Sequence, residues 1–216
     1  ILAALRGVLT DIDDTLTRDG AIEPAALAAL QHLRDADVPV IAITGRPAGW
    51  SEPFVLDWPV AAIVAENGAV MLRREGAGLR YDFVQRASER AGNFARLQAC
   101  AQDVRRRVPG ATLATDSSGR LTDIAVDHSE FAQLSALQIE HVLAVMREHG
   151  LTATVSSIHI NGWIGAHDKW QGACWIAHEL LGRDLAAEVS RWVYVGDSTN
   201  DQRMFEHFPH SVGVAN

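Results

Sequence analysis

Cysteine is scarce in this chain, and its two residues, Cys100 and Cys174, lie far apart inside segments of helical pattern. That excludes a disulfide framework and argues against a zinc site, leaving reduced, buried thiols as the expectation. No run of about 18 apolar residues occurs, so no membrane span is expected. The opening Ile-Leu-Ala-Ala-Leu-Arg lacks the basic start of a secretory signal, so the expected location is cytoplasmic. Basic stripes are missing too. The one basic cluster, Arg105-Arg106-Arg107, stands before Pro109-Gly110 and reads as cations closing a helix. With a net charge of −8 and a pI near 5.5, no nucleic-acid partner is expected. Internal repeats and low-complexity segments are absent. The chain begins at Ile1 without Met and stops at Asn216 just after an apolar segment, so one or both native ends are expected to lie beyond it.

What is present suffices for a packed core: 216 residues, 48% of them hydrophobic, with a mean hydropathy of +0.01. Short apolar runs alternate with helical periods. Residues 7–10 read as a strand and 24–36 as a helix, with Pro24 at its start and Leu27, Leu30 and Leu33 on one face. Strands at 38–43 and 61–65 continue a βαβ rhythm, which implies a parallel sheet covered on both faces. The rhythm then changes. A β pair at 70–73 and 80–84 flanks Gly76-Ala77-Gly78, and a helix is expected over 88–107. Strands at 111–115 and 121–126 surround a turn at Asp116-Ser117-Ser118-Gly119, then a helix over 131–149 precedes strands at 152–156 and 158–160. This order suits an antiparallel sheet with helices on one face. After Asp168 the first rhythm returns: a helix to Leu181, a strand at 192–195, a helix over 200–207 and a strand at 211–214. The fold class is α/β, a Rossmann-like parallel-sheet core with an inserted α+β domain. The core is drawn as residues 1–73 and 163–216 and the insertion as 74–162.

Chemistry-bearing residues fall where the core strands end, the ligand face of an open parallel sheet. Asp11-Ile12-Asp13-Asp14-Thr15 follows the first strand and sets Asp11 and Asp13 two residues apart. Asp11 could attack an electrophile while Asp13 reaches a leaving oxygen, although turn and helix-cap acids explain so short a run equally well. Thr44-Gly45-Arg46 offers a hydroxyl and a glycine at which the backbone can approach an anion. Lys169 opens a helix after Asp168, where a solvated surface lysine is the alternative. Gly196-Asp197-Ser198-Thr199-Asn200-Asp201 places two carboxylates four apart after an apolar strand, able to face one cation or to cap a helix. His207-Phe208-Pro209-His210 is read as a helix end rather than a metal pair.

Taken together, the Asp11–Thr15 run, Thr44, Lys169 and the Gly196–Asp201 run resemble, in order, the four motifs of the haloacid dehalogenase-like hydrolase superfamily. The insertion between Thr44 and Lys169 resembles the type IIB cap of Cof-type and sucrose-phosphate-phosphatase-like sugar phosphatases, and Glu66-Asn67-Gly68-Ala69 is similar to a turn common in that branch. Asp14 departs from the pattern, because type IIB relatives usually carry Gly there. The resemblance implies a phosphatase in which Asp11 is the nucleophile and Asp13 the proton carrier. It implies that Thr44, Gly45 and Lys169 hold phosphoryl oxygens. It further implies Mg²⁺ on Asp11, the Asp13 backbone carbonyl and Asp197, with Asp201 orienting that set.

The implied partner is a small phosphorylated metabolite, a sugar phosphate by family analogy, and the cap is expected to set specificity. Candidate substrate contacts are Arg46, Asn67, Asn161 and Asn200, with the polar residues 116–120 and the segment 159–163 as further candidates. His159 is expected to be a hydrogen-bonded strand histidine, Asn161 either a substrate contact or a turn residue, and Trp50 either a cleft or a core residue. Two other readings use the same residues: a sugar phosphomutase, and a receiver-type signalling module that holds an acyl phosphate. Oligomeric state is not legible.

Overall fold

A computed structural model describes residues 5–215. In chain order come β1 (Gly7–Thr10), a short ribbon of β2 (Thr17–Arg18) and β3 (Ala21–Ile22), α1 (Pro24–Asp35), β4 (Val40–Ile43), α2 (Ala48–Asp57) and β5 (Ala62–Ala65). The hairpin β6 (Val70–Glu75) and β7 (Gly78–Phe83) follows. Next are α3 (Ala87–Arg107), β8 (Thr112–Leu113), β9 (Asp123–Asp127), α4 (Ala136–Glu148), β10 (Thr152–Val155) and β11 (His159–Trp163). The chain closes with α5 (Lys169–Leu181), α6 (Leu185–Glu188), β12 (Trp192–Gly196), α7 (Gln202–His207) and β13 (Ser211–Gly213). No helix among the described residues is long and apolar enough to cross a membrane.

Two compact units result. One runs to Val84 and resumes at His167, and the other is Gln85–Ala166. The first is built on a seven-stranded sheet of order β13-β12-β1-β4-β5-β6-β7, parallel from β13 to β5 and antiparallel across β6 and β7. Strands β1, β4 and β5 are buried along their whole length, as expected where helices cover both faces. Alternate residues feed two cores. Val8, Val40, Ala42 and Ile63 pack with α1 and α2, while Leu9, Ile41, Ile43 and Val64 pack with α5, α6 and α7. The sequence-drawn boundary at residue 74 cuts this sheet. Hairpin residues from Arg73↔Arg80 to Val70↔Phe83 pair in register, so β7 belongs with the core and the division moves to Val84/Gln85.

The second unit is a four-stranded antiparallel sheet of order β10-β11-β9-β8. Ile124, Val126 and Ile160 on one face join Leu97, Val104, Val142 and Met146 of α3 and α4 in a third core. Helix α4 starts at Ala136, not at 131. The Asp127 carboxylate accepts N–H bonds from Glu130, Phe131 and Ala132 at 2.9, 2.9 and 3.0 Å, which holds that stretch as a loop. Ser135 then caps the helix in a reciprocal pair with Gln138. Asn161 is also not a turn residue: it lies within β11, opposite Ala125 and Thr154.

Helix α2 has no counterpart in the sequence reading, because Gly49 and Pro53 interrupt it. Its ends are held by side chains remote in sequence. Glu66, fully buried, accepts the Ala48 N–H at 3.1 Å, and Arg74 donates to the carbonyls of Val55, Trp58 and Val60 at 3.1, 3.1 and 2.7 Å. An acid at the N-terminus and a base at the C-terminus both suit the helix dipole.

Candidate active site

Parallel strands deliver the acids. β1 leads directly into Asp11, whose N–H donates to Val195 O at 2.8 Å, so the first carboxylate is registered against β12 and its acidic loop. The chain then reverses through Asp14, which holds a φ of 55°. Glycine reaches that left-handed conformation at no cost, which accounts for its use at this position in the resembled branch; Asp tolerates it better than most residues. β4, neighbouring β1, leads directly into buried Thr44, whose Oγ1 accepts the Arg46 N–H at 3.0 Å. Gly45 follows, half-buried.

Lys169 is at the start of α5, whose N-cap Asp168 accepts the Gln171 N–H at 2.8 Å. A close backbone approach supports this turn. Glu66, Asn67 and Gly68 take φ values of 51°, 55° and 103°, and a Cβ on Gly68 would fall 2.3 Å from the Asp168 carbonyl oxygen. Only glycine allows the contact. Asn67 is 2% exposed within this turn, so the structure gives it a place in the backbone support rather than an open face.

Lys169 Nζ donates to Asp11 Oδ1 at 2.8 Å and to Asp201 Oδ1 at 2.6 Å. Asp201 is saturated. Its Oδ1 also accepts the Tyr194 hydroxyl at 2.6 Å, while Oδ2 accepts the N–H groups of Asp197 and Ser198 at 3.1 and 3.3 Å. Four donors match the four lone-pair positions of a carboxylate. Gly196 makes room for this arrangement, since a Cβ there would lie 2.6 Å from Asp201 Oδ2. Asp197 accepts from the Thr15 hydroxyl at 3.3 Å. Asp11, Asp197 and Asp201 each offer an oxygen within 4.8 Å of the others.

Asp13 does not face Lys169 alone. Arg46 grips it, with Nε at 3.0 and 3.1 Å from its two oxygens and Nη2 at 3.0 Å from Oδ1. Asn200 accepts the Ser198 hydroxyl at 2.6 Å inside its own loop. Asn161, in the other unit, donates to Asp123 Oδ2 at 3.2 Å, beside Arg120, which also binds Asp116. His159 bonds Glu130 at 2.9 Å, as a strand histidine should. The structure therefore brings Asp11, Asp197, Asp201 and Lys169 together, with Tyr194 and Thr15 added.

Burial dominates the electrostatics. It pushes the Asp11 carboxyl well above the usual range, with Lys169 pulling down and Asp201 adding to the rise. Asp197 is raised by burial and by Asp201. Asp13 is raised by burial against the pull of Arg46. Burial opposes charge on Lys169 and Asp201 as well. Attraction wins there: Asp11 and then Asp201 hold the amine above its ordinary value, and Lys169 holds the Asp201 carboxyl below its own. The thiols sit outside this network: burial pushes Cys100 and Cys174 up to about 11. At the helix end, His207 stacks on Trp170 at 4.0 Å.

The fold and the ordered motifs are similar to those of the haloacid dehalogenase-like hydrolases. Residues 8–86 match the family described as haloacid dehalogenase-like hydrolase. A phosphoglycolate phosphatase of Methanoculleus marisnigri is 24% identical over 98% of this chain and 85% of its own length. Among solved structures, the sucrose-phosphatase of Synechocystis superposes with a TM-score of 0.67 at 17% identity, covering 97% of this chain and 83% of that one. A subclass IIB sugar phosphatase of the superfamily gives 0.66 at 14% identity, covering 96% and 86%.

Proposed function

We propose that this chain is a Mg²⁺-dependent phosphatase that hydrolyses a small phosphate monoester, with sugar phosphates as the leading substrate class. The observation that carries the reading is the placement of Asp11 at the end of β1, bonded by Lys169 and beside Asp197. The Asp11 carboxylate attacks phosphorus and the bond to the leaving oxygen breaks, giving an aspartyl-phosphate while Asp13 supplies the leaving oxygen with a proton. Water then attacks the same phosphorus. Asp13 takes its proton, phosphate departs, and Asp11 is regenerated. Lys169 has three donors, two of them used on Asp11 and Asp201, so the third serves a phosphoryl oxygen together with the Thr44 hydroxyl and the Gly45 N–H.

The donor set fits Mg²⁺: an all-oxygen group of clustered carboxylates with one ammonium among them, in which Asp11 and Asp197 are lifted by burial and by the neighbouring charge of Asp201. Asp11, Asp197 and the Asp13 carbonyl would hold the ion, and saturated Asp201 would orient them. When bound, it offsets the repulsion between these carboxylates and a phosphate dianion. Residues Gln85–Ala166 are assigned the role of a specificity cap. The names of the sucrose and subclass IIB neighbours support a sugar phosphate. The curated relative's name adds 2-phosphoglycolate as a second candidate.

The test is a panel of phosphorylated metabolites with Mg²⁺ and with chelator, scored for free phosphate and for isomerised product. Phosphate release from a sugar phosphate, lost on chelation, is the expected result. A flat response across the sugar phosphates overturns the substrate assignment, and isomer without free phosphate makes the enzyme a mutase.

A further inference from the structure

The fork of Arg46 is committed to Asp13. Its Nε and Nη2 reach the carboxylate at 3.0 to 3.1 Å, and its side chain is only 8% exposed. The guanidinium also lies 4.9 Å from the ring centroid of Trp50 in α2, and that ring rests on Phe54 at 4.4 Å. The Arg46 backbone is fixed as well, its N–H on Thr44 Oγ1 and its carbonyl accepting the Glu66 N–H at 3.0 Å. Asp13 and Trp50 thus hold the side chain, and Thr44 and Glu66 hold its backbone.

We infer that Arg46 is a positioning residue for Asp13, and that Trp50 supports it. The inference rests on Asp13 carrying the proton in the reading above. A guanidinium has five N–H donors and no acceptor, so a proton on Asp13 must occupy a lone pair turned away from Arg46. A two-point grip also removes rotation of the carboxyl about its Cβ–Cγ bond. Arg46 thereby sets the direction in which the proton is presented. Lysine at this position would keep the charge and lose the planar fork. The competing role, direct contact with the phosphoryl group, gives a different kinetic signature.

The signature is the dependence on leaving group. p-Nitrophenolate departs as a stabilised anion with little help, whereas phenolate, whose acid has a pKa of about 10, and alkoxides need the proton. The quantity to compare is kcat/KM, which covers steps through the first irreversible bond cleavage and so excludes water activation. For Arg46→Lys, kcat/KM should fall by about 10² with phenyl phosphate and with an alkyl phosphate, while p-nitrophenyl phosphate changes by less than about threefold. Trp50→Leu should show the same split at about three- to tenfold. It also carries the comparison if Arg46→Lys melts early. Equal losses on all esters, or no loss on any, overturn the inference. Wild-type enzyme inactive on every ester contradicts the proposed function instead, so the two failures are distinct.

Discussion

Lys169 is the only lysine in the chain, among nineteen basic residues. An ammonium is a compact point charge with three donors, and here it fits between two carboxylates that a planar guanidinium would address differently. Its solitary use was a signal available in the sequence beside the motif itself. Asp11, Asp13, Thr44, Asp197 and Asp201 were legible because each follows an apolar strand at a fixed offset. Tyr194 was not legible. It sits inside apolar β12, its ring lies 5.5 Å from Phe205, and only its hydroxyl, donating to Asp201, marks it as part of the site. Burial, with the charges of Asp11 and Asp201 behind it, keeps that phenol protonated and therefore a donor. Tyr194→Phe preserves the ring and removes one hydrogen bond to a carboxylate. At about 1.5 kcal/mol this corresponds to roughly a tenfold lower kcat/KM, measured by steady-state kinetics beside a melting curve. Unchanged kcat/KM would show that the Lys169 ammonium and the two backbone N–H donors of Asp197 and Ser198 fix Asp201 without the phenol.

Of the helices, α1 and α5 are legible from local signals, whereas α2, the start of α4 and the short α6 capped by Asp184 are not. α1 opens on Pro24, and α5 is capped by Asp168 and closed by Gly182 at a φ of 62°. α2 depends on Glu66 and Arg74, which no window around residues 48–57 contains. The late start of α4 depends on Asp127, whose acceptors reach forward to Ala132. The 66–68 turn is the element on which the site leans most, since Gly68 lies against Asp168 and Gly172 at the start of α5. Gly68→Ala combines a left-handed φ with an overlap on a backbone carbonyl. It should cost about 2 kcal/mol or more, read as a lower urea midpoint, and should displace Lys169 enough to raise KM. Wild-type stability and KM in this variant would mean that the turn yields without moving α5.

Across the whole molecule, the alternation of two rhythms was enough to infer a core interrupted by an insertion, and the four motifs all fall in the first unit. The boundary was misplaced because strand pattern alone does not say which sheet a hairpin joins; the register of β6 on β5 and β7 on β6 decides it. Specificity was the least legible property. Arg120, Asp123 and Asn161 of the second unit are buried and bonded to one another, a pattern that reads in sequence as scattered polar residues in short strands. The central proposal is that the Asp11 carboxylate, directly after β1, is the nucleophile. Asp11→Asn keeps the shape and removes that nucleophile. Measured as Mg²⁺-dependent phosphate release from the best ester of the panel, with folding verified by melting, the variant is expected to show no turnover above background. Phosphate release at the wild-type rate would contradict the assignment of Asp11 and the covalent route built on it.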